Sequence, residues 1–303
     1  MAISRGQLVK ELEPGLNALF GLEYKRYENQ HAEIYTTESS DRAFEEEVML
    51  SGFAQAQTKS EGAGVVFDNA QETYTARYTH ETVALAFSIT EEAIEDNLYD
   101  RLASRYTKAL ARSMANTKQV KAVAPLINGL PTNDAFDSGD GVSLFNTAHP
   151  TIAGIVANTL ATQADLNETS LEQSLIDIAA MTDERGLRIA ARGVKMIIPS
   201  ELQFTAERLM KSQGRTSTAD NDINAIVSMG MIPQGYRVNN YLTDSDAFYI
   251  ITDVPNGMKM FQRAPLKTAM EGDFDTGNVR YKARERYSFG VSDPRGIFGV
   301  EGA

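Results

Sequence analysis

The run SITEEAIEDNLYDRLASRYTKALARSMANTKQVKAVA, residues 88–124, constrains the fold of this chain most, because it predicts a single very long helix. Ile94, Leu98, Leu102, Tyr106, Leu110, Met114 and Val120 recur mostly four apart, a narrow and slowly drifting apolar face. Ser88 stands three residues before Glu91 as in a capping box, with Thr90 as an alternative cap. Glu91, Glu92, Glu95 and Asp96 sit at the positive end of the helix dipole, and Arg101, Arg105, Lys108, Arg112, Lys118 and Lys121 follow toward the negative end. Pro125 is the expected stop. A helix from Glu91 to Ala124 would extend roughly 50 Å. That exceeds a small domain, so part of it is expected to lie against neighbouring subunits.

Composition narrows the classes further. The chain has 303 residues, 42% of them hydrophobic, enough for a substantial core and two lobes. It has no cysteine, which excludes disulfides, thiolate metal sites and cysteine nucleophiles and fits a reducing compartment. No apolar stretch approaches the ~18 residues of a membrane span, and MAISRGQLVKELEPG lacks a signal-peptide core, so a soluble protein made in the cytoplasm is expected, with no membrane partner. The formal charge of -12 is the wrong sign for wrapping nucleic acid and suits a surface that does not adhere to polyanions.

The segments around the helix are of two kinds. Leu8, Leu12, Leu16, Leu19 and Phe20, around Pro14, mark a short amphipathic helix that gives way to a polar arm with its partners elsewhere. Glu45, Glu46 and Glu47 form an acidic run read as a solvated or ion-paired face. Between Gly52 and Glu81 the chain reads as two polar extended arms around the turn-prone Ser60–Gly64. An isolated hairpin is marginal in water, so another subunit is expected to hold it. Val83, Leu85, Phe87 and Ile89 alternate as a strand entering the body.

Residues 128–163 read mostly as loop. Leu166 to Met181 then has helical spacing, with Asp165 or Thr169 as cap and Gly186 as its close. A strand at Lys195–Ile198, a helix ELQFTAERLMKS, a polar tip QGRTSTADND, and strands at Tyr236–Leu242 and Ala247–Thr252 complete an α/β lobe over 165–255. Near the end, Val279, Tyr281, Ala283, Tyr287, Phe289 and Val291 alternate with Arg280, Lys282, Arg284, Arg286 and Ser288. Glu285 interrupts the apolar side, and in so acidic a chain the cationic ladder is read as pairing between subunits in preference to DNA binding.

Motifs for catalysis are missing. His31, His80 and His149 lie in separate segments without a second ligand at metal spacing, and His149 in NTAHP reads as a turn residue. There is no G-x-S-x-G, P-loop, G-x-G-x-x-G or H-E-x-x-H, so neither a cofactor nor a metal is expected. Asn167-Glu168-Thr169 matches a glycosylation sequon, of little meaning in such a protein.

Several segments in this order resemble the major capsid proteins of tailed bacteriophages, most nearly the Mu-like major head subunits. They are KSEGAGVVFD with TYTARYTHETVALAFSITEEAIEDNLYD, SLFNTAHP, VKMIIPSELQFTAERLM, YLTDSDAFYIITD and RYKARERYSFGVSDPRGIFG. The resemblance covers most of the chain from about residue 50 onward. It implies an α+β Hong Kong 97-like capsid fold: N-terminal arm over 1–50, extended loop over 51–82, peripheral domain with the spine helix over 83–164, axial domain over 165–255, and a return to the peripheral domain over 256–303. It implies a non-enzymatic shell subunit of the virion, forming hexamers and pentamers around double-stranded DNA, with acidic surfaces that let the genome slide, and assembled in the host bacterial cytoplasm. No long charged extension precedes Leu8, which implies a separate scaffold protein or an extension already removed. Portal and decoration proteins are further implied partners. Some relatives crosslink a loop Lys to an Asn, and Lys59 lies in the corresponding kind of loop. The candidate contact residues are Lys59, Glu61, Glu45, Glu46, Glu47, Arg280, Lys282, Arg284 and Arg286. The rival readings are an encapsulin-like cargo compartment and a carboxylate-dependent hydrolase.

Overall fold

The computed structural model describes residues 5–90, 92, 99–133, 135–214, 222–273 and 277–303. The first sheet has the order β1-β10-β11-β4, from β1 (Thr36–Ser39), β10 (Met258–Gly272), β11 (Val279–Val291) and β4 (Glu81–Ile89). β10, β11 and β4 run antiparallel, and β1 joins β10 in parallel. Period-2 alternation puts Tyr281, Ala283, Glu285 and Tyr287 on one face of β11, where two helices bury them.

Those helices are α1 (Arg5–Arg26) and the long α2 (Tyr99–Asn128). α2 rises about 45 Å over its 30 residues. Its expected beginning, with Glu91, Ile94, Glu95, Asp96 and Leu98, lies outside the described residues, as do the side chains of Leu8, Leu12 and Leu102. Ser88 is not its cap, because the residue pairs with Arg280 inside β4. Pro125 is not its stop. The helix carries Pro125 in its last turn and continues to Asn128, because Ala122, Val123 and Leu126 are still being buried there. The buried face also differs from the predicted stripe. Leu110 and Met114 lie on it, whereas Tyr106 and Val120 are about half exposed. Ala103, Ala111, Ala115 and Ala122 supply much of the contact, small residues that let helix and sheet approach closely.

α1 is no free arm. Leu16 and Phe20 are buried with Leu110, Met114 and Tyr281, and Phe20 stacks on Tyr24 at 6.0 Å. Beyond α1, the Tyr35 hydroxyl donates to the Ala122 carbonyl at 2.6 Å. Residues 5–50 thus give the first sheet a strand and part of its helical cover.

The second sheet, β12-β9-β7-β8, comprises β7 (Gly193–Ile198), β8 (Tyr236–Val238), β9 (Phe248–Thr252) and β12 (Ile297–Val300). Three helices accompany it: α3 (Glu168–Ala180), α4 (Gln203–Lys211) and α5 (Ala225–Met229). Their core holds Leu171, Leu175, Ile178, Met196, Ile198, Phe248, Ile250 and Phe298. β12 pairs with β9, so the chain end closes the α/β lobe and does not return to the first sheet. The cap of α3 is neither Asp165 nor Thr169. Asn167 accepts from the Ser170 N–H, and Ser170 reciprocates in a capping box. Gly186 lies beyond the helix, at φ +82° in the Asp183–Leu187 turn. Much of QGRTSTADND, residues 215–221, is outside the described residues.

Candidate assembly interface

The hairpin starts earlier than expected. β2 (Phe44–Leu50) pairs antiparallel with β3 (Glu72–Thr79), and 51–71 is a long excursion between them. The strands rest on their own subunit. Ala76 and Tyr78 are buried with Phe261, and Tyr78 lies so near Gly290 that a Cβ there would sit 2.6 Å from its ring. The pleat divides the acidic run. Glu45 accepts from the Ser40 hydroxyl at 2.6 Å, Glu47 pairs with Lys259 at 2.5 Å and accepts from Ser292, and the more exposed Glu46 lies 3.8 Å from Arg77. Glu45, Glu46 and Glu47 therefore do not form one patch; two of them fasten the hairpin to the body.

The excursion is closed at its base. The Ser51 N–H donates to the Gln71 carbonyl at 2.9 Å, and the Ala54 N–H donates to Asp68 at 2.8 Å. Those backbone donors, from Ala54 and Asn69, hold the Asp68 carboxyl below its usual range. Arg185, from the α/β lobe, donates to the Asn69 carbonyl at 2.6 Å and lies 4.0 Å from Asp68. Sequence reasoning missed this clamp, since Arg185 in a polar DERG turn carries no signal of what it touches. Farther out, Ser60 to Ala63 form the tip, which carries exposed Glu61 and is preceded by exposed Lys59. Val65 and Val66 are about two-thirds exposed and Phe67 is 94% exposed. Three consecutive large apolar residues bare to solvent mark a surface that something else covers.

The ladder stands on the face of the first sheet opposite the helices. Arg280, Lys282 and Arg284 are exposed and Arg286 is half-buried. Directly paired residues share a face, so Lys282 lies between Ala269 and Ala86, and Arg284 between Lys267 and Ala84. Arg280 is engaged by Asp273 at 2.5 Å, while Lys282 and Arg284 have no ion-pair partner among the described residues. Glu285 does not weaken the apolar side. It is fully buried and takes a 3.2 Å ion pair from Lys118 of α2, whose ammonium also stands 5.1 Å from the Tyr287 ring centre. Burial raises the Glu285 carboxyl, and Lys118 and Tyr24 oppose that shift.

All three histidines are buried connectors. His31 meets Gln119 at 2.9 Å, and burial followed by Lys118 lowers its pKa to about 4. His80 bridges Ser40 and Ser288. His149 lies in the short strand β5 (His149–Thr151), beside β6 (Gly154–Val156), and is no turn residue. Its Nδ1 meets Asp140 at 2.6 Å, but Nε2 faces the oxygens of Asn158 and Leu144, so no nucleophile can be activated by this dyad. The described residues contain no cluster able to hold a metal ion, and no helix among them is long and apolar enough to cross a membrane.

The family model for phage capsid protein matches residues 73–300. Solved structures share the fold at low identity. The capsid of a native GTA particle is 16% identical with a TM-score of 0.55, covering 90% of this chain and 89% of that one. The capsid of the cyanophage P-SCSP1u is 12% identical at 0.57, covering 89% and 86%. A virus-like particle from Pyrococcus furiosus is 10% identical at 0.53, covering 94% and 98%. No curated protein sequence matches at a significant level. The matched span includes nearly all of the hairpin's second strand, the long helix, three strands of the first sheet, the whole second sheet and the basic ladder, and the chain belongs to the phage capsid protein family, a shell subunit with the Hong Kong 97-like fold.

Proposed function

We propose that copies of this chain form pentamers and hexamers that close into an icosahedral head around double-stranded DNA. The observation that carries this reading is the 51–71 excursion, clamped at its root and bare along Val65, Val66 and Phe67. Burying such side chains yields about 1.5–3 kcal/mol each, and no surface of their own subunit takes them up. A neighbouring copy does, with Lys59 and Glu61 reaching it at the tip. The ladder supports the same reading. Arg284 stands opposite Lys267, a like-charge pairing that is unfavourable until an acidic group of a neighbour meets it. Lys282 and Arg284 are therefore the ladder's free inter-subunit cations; Arg280 and Arg286 act beside them. Glu46 is the member of the acidic run that faces outward.

The excursion serves as the extended loop, the first sheet with α1 and α2 as the peripheral domain, and the second sheet with α3 to α5 as the axial domain. Kinship with Mu-like head subunits, a separate scaffold, a portal, decoration proteins and assembly in the host cytoplasm belong to the same proposal. The subunit has no catalytic role. Negative-stain microscopy of the purified full chain tests it: closed shells or capsomer rings are expected, with nuclease-protected DNA in particles recovered from infected cells. A monodisperse monomer at all concentrations would contradict the reading, and shells holding protein cargo instead of DNA would reassign it to a compartment.

A further inference from the structure

The hairpin's root meets the α/β lobe through a buried polar cluster that shell geometry alone does not require. His149, Asp140, Glu184, Asp293 and Arg295 are brought there by β5, the 137–143 loop, the 183–187 turn and the segment before β12, and Tyr74 of β3 lines the same space. The Tyr74 hydroxyl donates to the Ser292 carbonyl at 3.2 Å, tying the strand to this cluster's backbone. Arg295 makes a two-pronged pair with Asp293 at 2.8 and 2.9 Å and lies 3.5 Å from Glu184. The other oxygen of Glu184 is buried without a hydrogen-bond partner.

The hydrogen bonds around His149 fix its charge. Asn158 cannot be turned over, because its amide nitrogen donates to the Leu144 and Pro294 carbonyls at 2.7 and 3.0 Å and its oxygen accepts from the Asn146 N–H at 2.9 Å. That oxygen faces His149 Nε2 at 3.0 Å, and Leu144 O stands at 3.2 Å. Nδ1 faces the Asp140 carboxylate at 2.6 Å. Both ring nitrogens therefore meet only acceptors, so both must carry hydrogen, as in the imidazolium. A neutral ring would press a lone pair against two oxygens. The space beside the ring is about 10 Å³, room for one water at most, and both oxygens that face Nε2 lie within hydrogen-bond distance of it.

We propose that the root of the hairpin is a proton-dependent seat, closed while His149 is an imidazolium paired with Asp140 and loosened when the ring gives up its proton. With the ring charged, two cations, His149 and Arg295, face the three carboxylates Asp140, Glu184 and Asp293; with the ring neutral, Arg295 faces them alone, with Asp183 adding a further negative charge nearby. Histidine is the side chain whose charge changes between about pH 5 and 8. Glu184 acts in the same direction. Burial raises its carboxyl, so the folded state keeps its proton to a higher pH than the open state does, and its contribution falls as pH rises through that raised value. Asp140 sets the acid limit: burial opposes the shift, but His149 and Ser138 hold it low, and the seat is lost once it protonates. The seat is thus tightest in mildly acidic to neutral solution.

Two measurements on the unassembled full chain test this. Nitrogen-15 NMR of the three histidines should show His149 with both ring nitrogens protonated at pH 6.5, and His31 neutral. Hydrogen exchange, corrected for intrinsic rate, should show the opening of 72–79 and 137–158 rising by up to about tenfold per pH unit above about pH 6.5, where an exposed imidazole loses its proton, and levelling once the seated ring is neutral as well. The rise should vanish in His149→Gln. A neutral His149 at pH 6.5, or wild-type protection that does not change up to pH 9.5, would overturn the proposal, and both readouts survive a variant that fails to fold. Because neither needs shells, this failure is distinguishable from failure of the capsid reading.

Discussion

The strands of the hairpin and the excursion that joins them belong to one continuous stretch of chain, yet they are governed oppositely. β2 and β3 spend their side chains inward: Tyr78 against Phe261, Glu47 on Lys259, Tyr74 on Ser292. Residues 51–71 hold only their base, and their apolar groups face solvent. The first sheet repeats the division, with one face under α1 and α2 and the other presenting Lys282 and Arg284. Covered surface determines whether the subunit folds, and uncovered surface determines whether subunits join.

Substitutions on the two sides should separate cleanly. The largest effect is expected on the covered side. Glu285→Ala leaves the Lys118 ammonium buried without its partner and should cost about 3–5 kcal/mol in chemical unfolding, most of it recovered by adding Lys118→Met. Gly290→Ala would push into the Tyr78 ring and should cost about 1–3 kcal/mol, with increased exchange in β3. Asn167→Ala removes the cap of α3 and should cost about 1 kcal/mol, read as a lower thermal midpoint. On the uncovered side the stability changes should vanish. Phe67→Ser with Val66→Ser should stay within about 0.5 kcal/mol of wild type yet prevent closed shells under the microscope. Lys282→Glu with Arg284→Glu should likewise leave unfolding unchanged and weaken assembly, most visibly at low salt. A large stability loss from either uncovered pair would break the division.

Periodicity made the elements legible and left their contacts hidden. The long helix, the alternating β4 and β11 and the α/β lobe were all readable, because apolar spacing reports which face is buried. The details of α2 were not, since the buried alanines Ala103, Ala111, Ala115 and Ala122 carry almost no hydropathy signal, and tertiary burial carries the helix past Pro125 in its last turn. β2 was read as an acidic run because Glu45 and Glu47 find Ser40 and Lys259 only in three dimensions. The same holds for Glu285, whose partner is 167 residues away, and for Arg185, whose clamp on Asn69 spans 116. The candidate contacts Lys59, Glu61, Lys282 and Arg284 carry charge that sequence alone reads as exposed, whereas nothing in the sequence marks Phe67 as bare.

The most direct test compares the full chain with a variant lacking residues 55–67, its ends joined by a short Gly linker where Ala54 already meets Asp68. Both should unfold with the same midpoint. Negative-stain images should show closed shells for the full chain and only unassembled subunits or open rings for the variant. Closed shells of normal size from the variant would contradict the account.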